Sequence, residues 1–337
     1  MLDHHDLDTA QSFISEVFWR TYWKGWLEQR PGVWHRYLAD CAAARGTLEG
    51  SAWQSLYHRA CGGETGIDGF DQWVAELRAT GYLHNWARMQ LASIWVFTLR
   101  LPWVLGAAFT LAHFVDGDPA SNTLSWRWVA GLHTPGRAYL ADAERIAAMT
   151  QGRFHPQGLA REILVPRDGN MSPVMPLRSP RAFDPALPSA LLLTPEDLSL
   201  ETLPSLGQAF FALVIAPQSL FPGEADLIAG QDALDRAGAH WGCPAIWVPD
   251  LPQAAEAARG LPQMVTGFAT VGPVRAALVG WAADLAGQGI SLAEWRRAWD
   301  ETCWPHCHRG FFALRKQIPT LVASRLDRAK GQEGMRG

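Results

Sequence analysis

The first half of the chain shows apolar positions that recur at helical spacing. Residues 10–29 alternate apolar and polar side chains with a helical period, and Pro31 follows them as a helix-ending signal. Residues 83–112 are too apolar for a surface helix, so they predict the buried middle of a bundle, broken near Pro102. Three further stretches have helical patterns: 35–45, 69–80 and 137–149. Because no strand pattern appears in this half, we predict an all-α domain over residues 1–165.

The second half has a different pattern. Residues 166–189 are rich in Pro, Ser and Asp, which is typical of a linker. Short β-type runs then alternate with helical stretches, which predicts a small parallel, Rossmann-like α/β domain over residues 190–330. The strand-like runs are 189–195, 209–217, 244–250 and 263–272, and the helix-like runs are 228–238, 253–259, 273–288 and 292–300. The predicted fold class is therefore α+β overall, an all-α bundle followed by a parallel α/β domain. The α/β half has neither a G-x-G-x-x-G fingerprint nor a P-loop.

Composition and charge exclude several classes of protein. The 337 residues are 48% hydrophobic, which is enough for a large core and more than one domain. A net charge of −4 gives no global basic field for nucleic acid, although it is compatible with a local basic face. The longest apolar runs contain Arg100 and Pro102, which favours buried helices over membrane spans. Five scattered cysteines and an acidic, polar N-terminal stretch favour a cytoplasmic protein with reduced thiols.

Tryptophan is unusually abundant. The chain has 17 Trp and only 5 Tyr, and the Trp residues are concentrated between positions 19 and 128. Most of them are expected to be core residues. Because each ring is bulky and its N–H needs a partner, the concentration also raises the chance of stacking on a flat ligand or of electron transfer.

The segment EVFWR (16–20) places three side chains within about one helical turn. Glu16 faces Trp19 and Arg20 at i+3 and i+4 spacing. A Glu–Arg pair at this spacing is also an ordinary feature of helix surfaces, so a structural role and a binding role both stay open.

The segment GYLHNWARM (81–89) places Asn85, Arg88 and Met89 on one helix face. It leads directly into an apolar run, so we expect Arg88 to be buried or nearly buried. A buried guanidinium needs a carboxylate partner, and Asp116 or Asp118 is the expected one.

The segment FVDGDPASNTLSWRW (114–128) concentrates acids, an amide and rings in what we interpret as one short loop. Asp116, Asp118 and Asn122 have a calcium-like spacing, but Pro119 and the lack of a terminal bidentate Glu argue against calcium. A flavin ring has N–H and C=O edges and a redox nitrogen, which a mixed set of donors and acceptors also serves.

The segment CWPHCHRG (303–310) is another candidate metal site. Its Cys303, His306, Cys307 and His308 do not follow a zinc spacing, and no second ligand pair stands nearby in sequence. We therefore expect no metal site.

Three segments together resemble a known family. FISEVFWRTYW, TGIDGFDQWVAELRATGYLHNWARMQLAS and FVDGDPASNTLSWRWVAG are similar to the FAD-binding helical domain of the DNA photolyase/cryptochrome family. They occur in the family's order, with near-family spacing, over residues 10–135. The resemblance implies a helical bundle that holds FAD folded into a U.

The resemblance also implies roles for individual residues. Those that resemble flavin contacts are Arg20, Asn85, Arg88, Asp116, Asp118 and Asn122, with Asn122 beside the redox nitrogen N5. Those that resemble the catalytic lining of a pocket for a flipped-out pyrimidine dimer are Glu16, Trp19, Asn85, Met89 and Trp128. Trp126 and Trp103 match the inner members of an electron-transfer chain, and Trp53 is the nearest candidate for its outer member.

The chain departs from the family's usual layout at its N-terminus. The family begins with an antenna-binding α/β domain and a Thr/Ser-rich loop that holds the FAD phosphates, whereas fifteen residues precede Glu16 here. We expect Arg20, Lys24 or Arg137 to neutralise the phosphates instead. The α/β half is either antenna-like, following the flavin domain, or an unrelated domain.

The predicted function is that of a deoxyribodipyrimidine photolyase-like lyase. It would repair UV-induced pyrimidine dimers by electron transfer from reduced flavin, with damaged DNA as its partner. Two alternatives stay open, a cryptochrome-like light or redox sensor without repair activity and a scaffold that has lost the flavin. The sequence assigns neither an antenna pigment nor an oligomeric state.

Overall fold

The computed structural model describes residues 9–134, 136–167, 172–203, 206 and 209–323. By its internal contacts the chain divides into two compact units. The first unit combines Met1–Gln29 with Val174–Gly337, and the second is Arg30–Pro173. Residues 168–171 of the predicted linker and 324–330 of the predicted α/β domain lie outside the described residues.

The secondary structure of the described residues consists of helices and short parallel strands. The helices are α1 (Gln11–Glu28), α2 (Pro31–Leu48), α3 (Ala52–Gly62), α4 (Phe70–Thr80), α5 (Asn85–Ser93), α6 (Trp103–His113), α7 (Pro119–Val129), α8 (Ala143–Met149), α9 (Glu224–Trp241), α10 (Leu251–Ala257), α11 (Pro273–Gly287), α12 (Ala298–Cys303) and α13 (Phe311–Arg315). The strands are β1 (Ser189–Leu192), β2 (Phe211–Pro217), β3 (Ala245–Val248), β4 (Gln263–Gly267) and β5 (Ser291–Trp295). The predicted α+β fold class is confirmed.

The second unit is a bundle built from α2 to α8. Its apolar run is broken near Pro102, as predicted: α5 passes into a π-helical turn, Ile94–Thr98, and α6 begins after Pro102. Trp95 and Leu105 from this run are almost fully buried. The run therefore forms the centre of the bundle and positions the residues on either side of it.

The segment 114–128 is largely helix, so the interpretation as one short loop is wrong. Asp118 caps α7, because its carboxylate accepts from the Ser121 N–H at 2.6 Å. Pro119 occupies the first turn, where its missing N–H leaves no helical hydrogen bond unmade. Asn122, Trp126 and the residues between them are consequently held on a helix.

Two other parts of the second unit differ from the prediction. Residues 137–142 are not helical, because α8 begins only after Asp142, whose carboxylate accepts from the Arg145 N–H. The helix α3 was not predicted. Its apolar residues Trp53, Leu56, Tyr57, Ala60 and Cys61 do recur at helical spacing, so the pattern was overlooked.

The first unit contains a five-stranded parallel sheet with strand order β3-β2-β1-β4-β5. Side chains of β1 alternate between two apolar clusters, with Ala190 and Leu192 packing under α10 and α11, and Leu191 packing under α9. Helices thus cover both faces, and the order reverses between β1 and β4, as in doubly wound folds.

The end of the sheet corrects one predicted element. Residues 291–295 form strand β5, paired in parallel with β4, where the sequence predicted a helix over 292–300. Leu292 and Ala293 are buried on opposite faces of the sheet, and the helix α12 begins only at Ala298. A buried strand followed closely by a short helix gives a mixed apolar pattern that periodicity cannot separate.

Helix α1 belongs by its contacts to the first unit, although the sequence suggested a helical domain over residues 1–165. At Gly25 a Cβ atom would lie 2.6 Å from the Trp304 ring, so the absence of a side chain permits the close approach. The Gln29 amide donates to the Trp304 carbonyl at 3.0 Å, and the Trp299 indole donates to Thr21 at 3.0 Å. The domain boundaries drawn from sequence stay a prediction.

Candidate functional site

Helix α5 of the second unit carries Asn85, Arg88 and Met89 near its start. His84 caps the helix, since its Nδ1 atom accepts from the Trp86 N–H at 3.2 Å. Asn85 is exposed, whereas Arg88 and Met89 are half-buried. The three residues therefore lie at a partly solvent-exposed helix end and not in the buried core of the bundle.

Arg88 ties this helix end to the loop before α7. Its Nη2 atom donates to both Asp116 oxygens at 3.0 and 3.1 Å, and its Nε atom donates to the Leu83 carbonyl at 2.7 Å. The guanidinium also lies 3.9 Å from the centre of the Phe114 ring, within cation–π range. The predicted carboxylate partner is therefore confirmed as Asp116. Asp118 instead caps α7, and the Arg88 side chain is less buried than expected.

Asn122 lies on α7 with its carboxamide held at both ends. Its Nδ2 atom donates to the Ala107 carbonyl at 2.8 Å, and its Oδ1 atom accepts from the Thr110 hydroxyl at 2.8 Å. The same hydroxyl accepts from the Trp126 indole N–H at 2.9 Å. Thr110 is 2% exposed and Trp126 is 4% exposed. A buried hydrogen-bonded chain thus links the residue predicted beside the flavin nitrogen to the residue predicted as electron relay.

The ring of Trp126 packs against a different tryptophan from the one that the sequence singled out. Trp95 meets it edge to face with ring centres 6.1 Å apart, and Tyr57 meets Trp95 at 6.0 Å. Gly106 makes this approach possible, because a Cβ there would clash with the rings of Trp126 and Trp95. Sequence reasoning missed Trp95, which sits among other apolar residues without a distinguishing pattern.

The other predicted relay residues have different surroundings. The Trp103 ring is buried and lies 5.8 Å from Tyr37, which itself lies 5.1 Å from Trp34. Trp53 is 50% exposed on α3. A role for Trp103 and Trp53 in electron transfer stays a prediction.

Trp128 is half-buried beside Tyr139. Their rings are stacked at 6.3 Å, and the Tyr139 hydroxyl is hydrogen-bonded to the Gln90 amide at 2.5 Å. The Gln90 Oε1 atom is buried and has no hydrogen-bond partner among the described residues. Through Tyr139, Trp128 is therefore connected to Gln90, whose Oε1 atom could still accept a hydrogen bond.

A positively charged group of residues lies next to α7. Burial, together with the smaller effect of the nearby charges of Arg127 and Arg30, lowers the pKa of His133 to about 4. Arg127 also lies over the Trp103 ring at 5.7 Å and donates to the Leu132 carbonyl at 3.3 Å. His133 is therefore neutral at physiological pH.

Glu16, Trp19 and Arg20 lie on α1 in the first unit. Glu16 and Arg20 are exposed, but one face of the Trp19 indole is stacked on Phe311 with ring centres 3.7 Å apart. The helix α13 that supplies Phe311 follows far later in the sequence, so no local pattern indicated this contact. Phe311 therefore covers one face of the Trp19 ring, the residue that the prediction placed against a flipped base.

The carboxyl end of the parallel sheet carries acidic groups where doubly wound folds bind ligands. Glu28 of α1 is 3% exposed and accepts from the Val271 N–H at 2.5 Å, with Arg275 at 3.3 Å. Glu196, which follows β1, accepts from the Thr270 N–H at 3.0 Å. Side chains of α1 therefore occupy part of the crevice that such a sheet normally offers to a ligand.

Metal-binding and membrane-spanning features can be judged for the described residues. They include no group of three or more His, Cys, Asp or Glu side chains placed to hold a metal ion. Burial raises the pKa of the Cys303 thiol to about 12 and also raises the pKa of Cys307, so neither offers a thiolate at neutral pH. None of the described helices is long and apolar enough to cross a membrane.

The side chains of the second unit fit the edge of a flavin ring. A carboxamide can make four hydrogen bonds, and Asn122 uses one donor and one acceptor inside the bundle. One N–H and one lone pair are left for a ligand. The hydroxyl of Ser121, the preceding residue on α7, is also buried and has no hydrogen-bond partner among the described residues. Groups that can still both donate and accept hydrogen bonds are what a heterocycle with N–H and C=O edges requires.

Comparison with known proteins agrees with this chemistry. Residues 13–159 match the family model described as the FAD binding domain of DNA photolyase. Over 130 residues the chain is 36% identical to a deoxyribodipyrimidine photo-lyase of Streptomyces griseus, covering 38% of this chain and 27% of that protein. Over 150 residues it is 28% identical to a deoxyribodipyrimidine photo-lyase of Vibrio cholerae, covering 44% and 31%.

A relative with a different name matches the same part of the chain. A cryptochrome DASH of Natronomonas pharaonis is 30% identical over 126 residues, covering 36% of this chain and 27% of that protein. The chain thus spans less than a third of the length of these three relatives. No solved structure matches it significantly. The matched domain makes FAD the cofactor of this segment, and residues 13–159 are similar to the FAD-binding domain of the DNA photolyase/cryptochrome family.

Proposed function

We propose that this photolyase-like flavoprotein uses light-driven electron transfer to repair UV-induced pyrimidine dimers in DNA. The observation that carries the proposal is the chain of buried hydrogen bonds from Trp126 through Thr110 to Asn122. It holds an oxidisable ring and a carboxamide with spare hydrogen-bonding capacity in fixed positions. Fixed positions are what electron transfer to or from a bound ring requires.

The roles of the chain's own residues follow from their chemistry. FAD supplies the one-electron chemistry when it is bound. Asn122 would hold the ring edge through its remaining N–H and lone pair, and Arg88 with Asp116 would fix the neighbouring helix end. Trp126 would act as the relay, with Trp103 and Trp53 as further members. Arg20, Asn85 and Asp118 complete the proposed cofactor set.

The proposed substrate is a pyrimidine dimer in DNA, which stacks poorly and leaves the duplex at low cost. Glu16, Trp19, Asn85, Met89 and Trp128 are the proposed lining residues. The relatives from Streptomyces griseus and Vibrio cholerae are named photo-lyases, which supports this choice. An aromatic ring at Trp128 suits stacking against a base, worth about 1–3 kcal/mol per base.

A second candidate function is a light or redox sensor without repair activity. The contact between Trp19 and Phe311 favours it, because the stacked ring covers a face that a flipped base would use. The cryptochrome DASH relative is compatible with the same reading. The two candidates share the flavin and differ in whether a damaged base enters.

The test is repair by the purified full chain. The protein is loaded with FAD, reduced, and illuminated with blue light in the presence of DNA that contains thymine dimers. Light-dependent loss of dimers, absent in the dark, is expected. Bound flavin with unchanged dimers would contradict repair, and a light-dependent change in oligomeric state under the same conditions would favour the sensor.

A variant pair distinguishes the role of the Trp19 face. Phe311→Leu removes the stacked ring, whereas Phe312→Leu alters a neighbouring ring that is 66% exposed. If Phe311 limits base entry, Phe311→Leu binds dimer-containing DNA more tightly than the wild type, and Phe312→Leu does not. Equal affinity for all three proteins would show that the covered face of Trp19 takes no part in binding.

A further inference from the structure

The buried hydroxyl of Thr110 lies between two residues of the candidate site. It is 2.9 Å from the indole nitrogen of Trp126 and 2.8 Å from the carboxamide oxygen of Asn122. Thr110 stands in the apolar helix α6, where it is 2% exposed. Neither the family resemblance nor any sequence motif singled it out.

The direction of each hydrogen bond follows from the groups present. An indole N–H only donates, so the Thr110 oxygen accepts from Trp126. The Ala107 carbonyl only accepts, so the Asn122 nitrogen must face it and the Asn122 oxygen must face Thr110. The single hydroxyl hydrogen then points to Asn122 at 2.8 Å, in preference to the Gly106 and Ala107 carbonyls at 3.2 Å.

We propose that Thr110 is a positioning residue that orients the Asn122 carboxamide and stabilises the oxidised form of the Trp126 ring. The electron-transfer half of this proposal rests on the proposed function. The orienting half rests only on the geometry of Thr110, Asn122 and Ala107.

The effect on Trp126 follows from charge. When Trp126 gives one electron to the photoexcited flavin, the ring gains one positive charge and its N–H becomes a stronger donor. No covalent bond breaks, and the proton stays on the indole nitrogen, shared with the Thr110 oxygen. Hydrogen bonds to charged groups are about twice as strong as neutral ones, so Thr110 favours the oxidised ring over the neutral one.

The effect on Asn122 follows from the shared hydroxyl. With the Thr110 hydrogen in place, the carboxamide has hydrogen bonds at both of its ends and cannot rotate without losing both. Its remaining N–H and lone pair are then fixed in direction. Without the hydroxyl, only the bond to Ala107 restrains the group.

Three variants separate the hydroxyl from the shape of the side chain. Thr110→Val has nearly the same shape without the hydroxyl, and Thr110→Ser keeps the hydroxyl. Thr123→Val is the matched control, because Thr123 is fully buried on α7 and its hydroxyl has no hydrogen-bond partner among the described residues.

The first readout uses the flavin-free full chain. Proton–nitrogen NMR follows the Trp126 indole N–H and the Asn122 side-chain amide, assigned from Trp126→Phe and Asn122→Asp spectra. Thr110→Val is expected to shift both signals, Thr110→Ser to restore them, and Thr123→Val to leave them in place. An unchanged Asn122 signal in Thr110→Val would overturn the orienting role.

The second readout uses the FAD-loaded full chain. Flash photolysis measures the rate at which the oxidised tryptophan forms. The oxidised tryptophan is expected to form about tenfold more slowly in Thr110→Val, because this variant loses about one charge-assisted hydrogen bond. Thr110→Ser is expected to restore the wild-type rate. A wild-type rate in Thr110→Val would overturn the electron-transfer role. Failure of the wild type to bind FAD would refute the proposed function and this role with it, while the NMR result still decides the orienting role.

Discussion

Acidification is expected to weaken the second unit through a single buried histidine. The folded structure lowers the pKa of His133 to about 4, mainly by burial and additionally by the charges of Arg127 and Arg30. An unfolded histidine titrates at about 6.5. Between these values the unfolded chain takes up a proton that the folded chain does not, so the stabilising effect is full above pH 6.5 and is lost as pH falls toward 4.

The magnitude follows from these two pKa values. At pH 5, protonation favours the unfolded state by a factor of about 30, or about 2 kcal/mol, and at pH 7 by a few tenths of a kcal/mol. The residual solvent contact of the His133 ring makes this an upper figure. Asp300 in the first unit acts in the opposite direction, because burial raises its pKa to about 6 and its contribution is lost as pH rises through that value.

The assay compares urea unfolding of the wild type and His133→Gln at pH 7 and pH 5. The variant has no titrating ring, so it is expected to lose about 2 kcal/mol less than the wild type on acidification, while Asp300 contributes equally to both proteins. His58→Gln, on an exposed position of α3, controls for the substitution itself. Equal losses in the wild type and His133→Gln would refute the reasoning that His133 is held neutral by burial and by neighbouring charge.

Three further predictions follow from the packing. Gly106→Ala is expected to destabilise the chain by about 1–3 kcal/mol in thermal unfolding, because its Cβ clashes with Trp126 and Trp95, whereas Gly46→Ala in α2 has open space and is expected to be neutral or stabilising. Glu28→Ala is expected to lower the free energy of unfolding in urea by about 3–5 kcal/mol, because it leaves Arg275 and the Val271 N–H without their partner. The control Glu256→Ala removes an exposed carboxylate and is expected to lower it by less than about 1 kcal/mol. Equal losses in the two variants would contradict a structural role for Glu28. Trp95→Phe is expected to slow light-driven flavin reduction, because the Trp95 ring packs against the Trp126 ring. If Trp95→Phe reduces the flavin at the wild-type rate while Trp103→Phe reduces it more slowly, the electron reaches Trp126 through Trp103 instead.

The parts of the fold that sequence predicted well have long, regular patterns. The spacing of apolar residues located α1 and α4 to within a residue or two, and the strand-like runs located β1 to β4. The errors occur where patterns are short or mixed. Strand β5 and helix α12 follow one another within a dozen residues, and α7 begins in a run of small and polar residues that resembles a loop.

The candidate site shows the same division. A carboxylate partner for Arg88, Asp116 or Asp118, was predicted because a guanidinium expected to be buried or nearly buried needs one, and the structure identifies it as Asp116. Thr110 was not, since one threonine in an apolar helix gives no signal of its partners. Phe311 was not either, because a contact between α1 and α13 depends on tertiary packing that local periodicity does not encode.

FAD binding by the purified full chain tests the proposed flavin site most directly. Flavin-free protein is titrated with FAD, and flavin fluorescence and calorimetry report binding to the wild type, Asn122→Leu, Arg88→Met and the exposed control Arg145→Met. Saturable binding of one FAD per chain is predicted for the wild type and Arg145→Met, with clearly weaker binding for Asn122→Leu and Arg88→Met at unchanged helical content. A wild type without saturable FAD binding, or four proteins with the same affinity, would contradict the assignment of the flavin site to these residues.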